Sequence, residues 1–322
     1  MIGMETTQYP PPRPRNRVNK ILIIFVVAAV IIFFMVMITT AGILLPTLRA
    51  RVALLNVQGT IYDTRALVRE LHEYRDNPSV RAIVVRIDSP GGSAPATQEL
   101  YRELEKVRSD SLKPVVVSMG SVAASGGYYI SCGADEIFAN PATITGSIGV
   151  IMNFANWQKL IKKVGIRFEV IKSAEHKDIG SPNRPMTDEE KELLQEVIDD
   201  VYDQFIEAVY EARQQELWMA YRNIHEGDNP TSASVRQYLH QLADGRIFSG
   251  RQALEYGLVD RLGNLQDAIM FAGRLSGIKG KPRVYQIKKR TGFFDILQGK
   301  VRQTLEGIAP ENPTLEYRFD PR

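Results

Sequence analysis

The chain has 322 residues and a formal net charge of +3, with 44% hydrophobic residues, 24% charged residues and a single cysteine. That composition excludes a wholly disordered or collagen-like chain, and one cysteine excludes an intramolecular disulfide framework. The positive charge is local: Arg13, Arg15, Arg17 and Lys20 stand against Glu5, while bases and acids balance in the rest, which argues against nucleic acid as the main partner.

Residues 1–20 read as a basic, proline-rich tail in which Pro10-Pro11-Pro12-Arg13-Pro14 cannot be helical. Residues 21–38 are continuously apolar, and no charge occurs between Lys20 and Arg49. At about 1.5 Å per residue that run spans about 27 Å, close to the hydrocarbon thickness of a bilayer and longer than a secretory h-region. The sequence therefore predicts a single-pass, uncleaved signal anchor over 21–45. A cleaved signal peptide, processed at Thr39-Thr40-Ala41, is the alternative. Four bases ahead of the span, against Arg49 and Arg51 after it, predict a cytoplasmic N-terminus and an extracytoplasmic body.

From residue 52 onward short β-branched runs alternate with amphipathic helical patterns. Strands are expected over 52–57, 82–87, 114–119, 136–139 and 167–171, with helices over 64–74, 96–107, 125–134 and 156–164. Continuous apolar strands such as Ile83-Val84-Val85, separated by helices, indicate a parallel sheet covered on both faces, and hence an α/β body. A longer helix is expected over 187–213, opened by a Thr187/Glu190 capping box and marked by Leu194, Ile198, Tyr202 and Ile206. Residues 214–231 are polar and contain a loop at Gly227-Asp228-Asn229-Pro230. A helix over 235–243, a strand over 246–248 and a helix over 250–256 follow. The last thirty-five residues, around Phe293-Phe294, lose clear periodicity and read as a peripheral or disordered extension.

Glycine-bearing turns follow several strands, at the strand ends where open α/β sheets bind ligands. In Asp88-Ser89-Pro90-Gly91-Gly92-Ser93 the paired glycines allow close backbone approach and point N–H groups outward, as an oxyanion hole requires; a tight turn opening a helix is the plainer reading. In Gly120-Ser121-Val122-Ala123-Ala124-Ser125-Gly126-Gly127, Ser125 stands at a helix N-terminus, where free N–H groups favour developing negative charge. It is either a nucleophile or a simple helix cap. The motif is not the Gly-x-Ser-x-Gly elbow, since Ala123 holds the first glycine position. Two bases stay open for Ser125, both in Ser173-Ala174-Glu175-His176-Lys177-Asp178: His176, or Lys177 if burial lowers its pKa. His72, His225 and His240 sit in no triad motif, and Ser276-Gly277-Ile278-Lys279 lacks flanking context. No metal-ligand spacing or phosphate loop is present, because Gly280-Lys281 is followed by Pro282, so no metal or other cofactor is expected.

Together these segments resemble the signal peptide peptidase family of the SppA type, membrane-anchored bacterial serine proteases whose fold is related to Clp protease and crotonases. The resemblance spans about residues 52–267. It rests on Asp88-Ser-Pro-Gly-Gly-Ser93, Met119-Gly-Ser-Val-Ala-Ala-Ser-Gly-Gly-Tyr-Tyr-Ile-Ser131, Thr145-Gly-Ser-Ile-Gly-Val150, Lys172-Ser-Ala-Glu-His-Lys-Asp178, and Ala243-Asp-Gly-Arg-Ile-Phe-Ser-Gly250 with Gly257-Leu-Val-Asp260. It implies parallel sheets flanked by helices, a peptidase domain over 46–283 and a C-terminal extension over 284–322. It places the nucleophile on Ser125, the general-base lysine on Lys177, a lysine-orienting hydroxyl on Ser147 and oxyanion donors on the N–H groups of Gly92 and Gly126. It further implies hydrolysis of remnant signal peptides and other short hydrophobic peptides by a homo-oligomeric ring at the bacterial cytoplasmic membrane. The catalytic domain would be periplasmic, and serine and lysine can come from neighbouring subunits. The alternative function is a non-proteolytic membrane scaffold that keeps the fold. Residues 214–231 look longer than this family pattern, and nothing beyond Arg283 matches one of its motifs.

Overall fold

The computed structural model describes residues 17–48, 50–111, 113–225, 229–287 and 315–319. Pro10 to Pro14, Gly227-Asp228 of the expected loop and Phe293-Phe294 lie outside the described residues. The chain divides into two units, residues 1–49 and 50–322. In the first, helix α1 (Arg17–Leu48) contains Leu22–Thr39, a stretch long and apolar enough to cross a membrane. Its side chains there are exposed.

The second unit is a mixed α/β body. In chain order it runs β1 (Arg51–Gln58), α2 (Arg65–Asp76), β2 (Val80–Ser89), β3 (Gly91–Ser93), α3 (Ala94–Ser111), β4 (Val115–Ala124), α4 (Gly126–Ser131), β5 (Glu136–Ala139) and β6 (Ile144–Gly146). Then come α5 (Gln158–Lys163), a 3-10 turn (Glu175–Asp178), α6 (Asp188–Ile224), α7 (Ser232–Leu242), β7 (Ile247–Ser249), α8 (Gly250–Glu255), β8 (Arg261–Leu262), α9 (Leu265–Leu275), β9 (Arg283–Tyr285) and β10 (Glu316–Arg318). The main sheet has the order β7-β6-β4-β2-β1-β9, with β5 beside β4 and β8 beside β5. Its ladders are parallel except β6–β7.

The central strands are apolar throughout because both faces are covered. Ile83, Val85, Val115 and Val117 pack into the larger core with α2, α3, α4 and α6, whereas the intervening Val84 and Val116 meet Ala268 and Ala272 of α9. Strand β4 changes partner midway: Val116–Ser118 pairs β5, and Val122–Ala124 pairs β6. The switch is made at a bulge, since Ile87 faces Met119 but Ser89 faces Ala123. The Asp88 carboxylate accepts the freed Val122 N–H at 3.1 Å, and a Cβ on Gly120 would stand 2.6 Å from Asp88 Cγ. The far end of β4 is thereby redirected, and that end carries Ser125.

Three expectations change. The capping box is present, with Glu190 N–H donating to Thr187 Oγ1 (3.2 Å) and Thr187 N–H donating to Glu190 Oε2 (2.9 Å), but α6 continues to Ile224. Residues 214–224 thus carry the helix beyond its expected end at 213, because Leu217 and Ala220 extend the buried face. The expected strand over 167–171 has no sheet partner, and those residues are exposed without regular structure. The C-terminal residues contribute two strands, β9 against β1 and β10 against β3.

Candidate active site

The end of β4, the start of α4, β3 and the β6 turn meet at one point. Ser125, at the β4–α4 junction, is 1% exposed and has φ 54° and ψ −116°. Its N–H donates to Gly146 O at 2.7 Å, and its own carbonyl accepts from Tyr129 N–H at 2.9 Å. Its hydroxyl is buried without a hydrogen-bond partner. Ser147 follows the same Gly146 and has φ 50°. Among the described residues these two serines are the only ones other than glycine with positive φ, a conformation that persists only where surrounding structure enforces it.

The enforcement is visible for both. Ser147 N–H donates to Arg246 O (2.8 Å) and Gly245 N–H to Ile148 O (3.1 Å), so Asp244-Gly245-Arg246 clasps the serine turn. Gly245 makes that clasp possible at φ +89°. Ser125 is held from the other side by α4, whose Tyr128 hydroxyl donates to Leu258 O (2.9 Å). Asp260, two residues on, accepts Ile137 N–H (2.7 Å) and forms two hydrogen bonds with buried Arg213 (2.8 and 2.9 Å). Arg213 carries no motif signal; its position on the buried stripe of α6 was the only clue. Cys132 ends α4 as an inert thiol, its pKa pushed up to about 12 by burial.

Gly92 and Gly126 adjoin this point. A Cβ on Gly91 would stand 2.6 Å from Gly126 N, so the Pro-Gly-Gly turn lies directly against the first turn of α4. Gly92 pairs with Ile61 through Ile61 N–H to Gly91 O and Ser93 N–H to Ile61 O, which turns the N–H of Gly92 to the opposite edge. Ser89 fixes the turn by donating to Gly59 O (2.6 Å) and accepting from Gly91 N–H (3.1 Å). The Pro-Gly-Gly turn and the first turn of α4 thus lie against each other beside the buried Ser125 hydroxyl.

Lys177 is not part of this cluster within one chain. It lies on the 3-10 turn, exposed, and no hydrogen bond joins it to Ser125. His176 is no nearer as a base: its Nε2 is 3.9 Å from Glu189 Oε1. The turn is tied to the start of α6 by Arg184, which bridges Asp178 (2.8 Å) and Glu190. Lys172 also reaches Asp178, at 2.7 Å. These bonds hold the Asp178 carboxyl well below its ordinary range, and Arg184, with the Thr187 N–H, lowers that of Glu190 to about 2. The whole segment 151–189 contains no buried residue. Trp157, Leu160, Ile166, Phe168, Val170 and Ile171 are all exposed on it. Among the described residues no group of His, Cys, Asp or Glu side chains is placed to hold a metal.

The sequence profile of peptidase family S49 matches residues 107–224 and 231–279. A Synechocystis chain named as a protease is 42% identical over 231 residues, covering 71% of this chain and 76% of that one. A Methanocaldococcus jannaschii chain, also named as a protease, is 35% identical over 73% of this chain and 69% of its own length. An Enterococcus faecium chain named as a signal peptide peptidase SppA is 33% identical, with 68% of this chain and 62% of that one covered.

Proposed function

The chain belongs to peptidase family S49, and on that premise we propose that it is a membrane-anchored serine endopeptidase with a Ser125–Lys177 dyad, acting on remnant signal peptides and other short hydrophobic peptides. The observation that carries this reading is Ser125: a buried hydroxyl without a partner, at strained backbone geometry, at the N-terminus of α4 where the Pro-Gly-Gly turn lies against it. A helix cap needs neither the strain nor the burial.

In the reaction, Lys177 as the free amine takes the Ser125 proton and Ser125 Oγ attacks the scissile carbonyl. The Gly92 and Gly126 N–H groups stabilise the oxyanion, whose collapse breaks the C–N bond as the leaving amine takes the proton from Lys177; the same lysine then deprotonates a water that hydrolyses the acyl-enzyme and returns the proton to Ser125. Ser147 orients the lysine amine. Because Lys177 is exposed in one chain and Ser125 lacks a partner, the lysine is supplied by a neighbouring subunit. The exposed apolar segment 151–189 is the surface that such a neighbour would cover. The basic tail and α1 anchor the assembly in the bacterial cytoplasmic membrane with the body outside the cytoplasm.

The test is hydrolysis of a hydrophobic signal peptide by wild type, Ser125→Ala and Lys177→Ala over about pH 6 to 10, with oligomer mass measured alongside. Loss of activity in both variants at unchanged mass, with a rising pH limb in wild type, supports the dyad. Cleavage by Ser125→Ala at the wild-type rate overturns it.

A further inference from the structure

Among the described residues, two hydroxyl oxygens are shut off from solvent without a hydrogen-bond partner: Ser125 Oγ and Thr97 Oγ1. They flank the same residue. Ser125 immediately precedes Gly126, and Thr97 Oγ1, on α3, stands 2.8 Å from where a Cβ on Gly126 would be. The contact is fixed because α3 lies close along α4. A Cβ on Gly133, just past α4, would stand 3.1 Å from Tyr101 O and 3.2 Å from Leu104 Cβ, and the Tyr101 and Tyr129 rings meet edge-on at 5.0 Å. Thr97, Tyr101 and Leu104 share one buried face of α3, so the packing of both helices holds the Thr97 side chain against Gly126.

A buried hydroxyl ordinarily finds an acceptor. Others around the site do: Ser89 donates to Gly59 O (2.6 Å), Thr143 to Gly120 O (2.7 Å) and Thr145 to Ala123 O (2.7 Å). A hydroxyl inside a helix has a further option, the carbonyl four residues back, which Ser131 takes by donating to Gly127 O (2.8 Å). The corresponding acceptor for Thr97 is Ser93 O, and no such bond is made. An unsatisfied buried hydroxyl is costly, and valine, of the same shape, would fill the place without that cost. A position that served packing alone would have no need of the oxygen. The Thr97 hydroxyl is a donor held in reserve beside the nucleophile.

We propose that Thr97 is a further catalytic residue, whose hydroxyl donates a hydrogen bond to the scissile carbonyl oxygen as negative charge develops on it during attack by Ser125. This rests on the peptidase reading for the role of Ser125. A hydroxyl bonds an oxyanion more strongly than a neutral carbonyl, so the contribution is larger in the transition state than in the bound substrate and acts on kcat. Thr97 keeps its own proton throughout. The Ser125 proton still passes to the lysine, and the threonine only lowers the energy of the charge that forms.

The test is the rate at which an alkyl fluorophosphonate labels Ser125, followed by intact mass on the full detergent-solubilised chain, in wild type, Thr97→Val and Thr97→Ser. In that reaction Ser125 Oγ bonds phosphorus, fluoride leaves, and charge builds on the phosphoryl oxygen where it would build on a scissile carbonyl. Thr97→Val should slow labelling by about tenfold or more at unchanged assembly mass, and Thr97→Ser should stay within about threefold of wild type. With a hydrophobic signal peptide as substrate, Thr97→Val should lower kcat by a similar factor and leave KM unchanged. Thr97→Val should also melt no lower than wild type, since no partner is lost. Should it fail to assemble, Thr97→Ala compared with Thr97→Ser isolates the same hydroxyl. Labelling of assembled Thr97→Val at the wild-type rate overturns the proposal alone, as does a loss of rate that comes with a lower melting temperature. A wild-type chain that is never labelled at Ser125 overturns the peptidase reading, and the role of Thr97 falls with it.

Discussion

Replacing Ser125 should raise the stability of the body while abolishing hydrolysis. At φ 54° and ψ −116° the residue sits where a Cβ is unfavourable, and its hydroxyl is buried without a partner. Strain of this kind costs roughly 1–3 kcal/mol, and leaving a buried hydroxyl unsatisfied costs roughly 1–3 kcal/mol. Ser125→Ala removes only the second cost. Ser125→Gly removes both and gives back about 0.4–1 kcal/mol through a freer unfolded chain. The expected order of stability is Gly above Ala above Ser, with a gain for glycine of about 1–5 kcal/mol, or several degrees in Tm for a body of this size. Thermal unfolding of the three proteins under conditions where the chain is monomeric, so that no neighbouring lysine reaches the hydroxyl, reads the order directly. A glycine variant that melts no higher than the alanine variant would show that the site stores no strain. An alanine variant that melts below wild type would show that the hydroxyl has a partner.

Other consequences of the structure are open to similarly direct checks. Arg213→Met leaves the partly buried Asp260 without its cation and should cost about 2–4 kcal/mol, read by denaturant unfolding; a loss below about 1 kcal/mol would mean the pair does not anchor α4. Cys132, its thiol raised by burial, should resist maleimide at pH 8 until the chain unfolds, and rapid labelling of the folded protein would contradict that burial. Glu190, held at about 2 by Arg184 and the Thr187 N–H, contributes stability that is fully present above the unfolded carboxyl value near ~4.5 and is lost as pH falls toward about 2. Arg184→Ala should flatten that acid limb and raise protease sensitivity around Lys177; an unchanged acid limb would show that the bridge is unimportant.

Most of the sheet could be read from the sequence because its strands are buried on both faces, so runs such as Ile83-Val84-Val85 carry the signal without their neighbours. The elements that escaped depend on partners far away in sequence. β10 has three residues, too few for a period, and is ordered by pairing with Gly91-Gly92-Ser93, which itself reads as a turn because glycine is depleted in strands. The converse holds for residues 167–171: Phe168 and Val170 alternate as a strand should, yet no edge is offered to them and they stay exposed. The end of α6 was obscured by Gln214, Gln215 and Glu216, polar residues that nonetheless favour helix while Leu217 and Ala220 pack inward. At the site, Ser125, Ser147, Gly92 and Gly126 each sit at a strand end or glycine turn, which made them legible as candidates, while it was the family resemblance that grouped them. The positive φ of the two serines and the clasp of Asp244-Gly245-Arg246 are tertiary effects with no local signature.

The shared dyad is tested most directly by complementation. Ser125→Ala and Lys177→Ala chains, each inactive alone, are co-assembled in equal amounts, and mixed oligomers are verified by native mass. In a closed ring where each serine uses its neighbour's lysine, about one site in four unites an intact Ser125 with an intact Lys177, so about a quarter of wild-type hydrolysis should return. Verified mixed oligomers that stay as inactive as their parents would contradict a dyad shared between subunits.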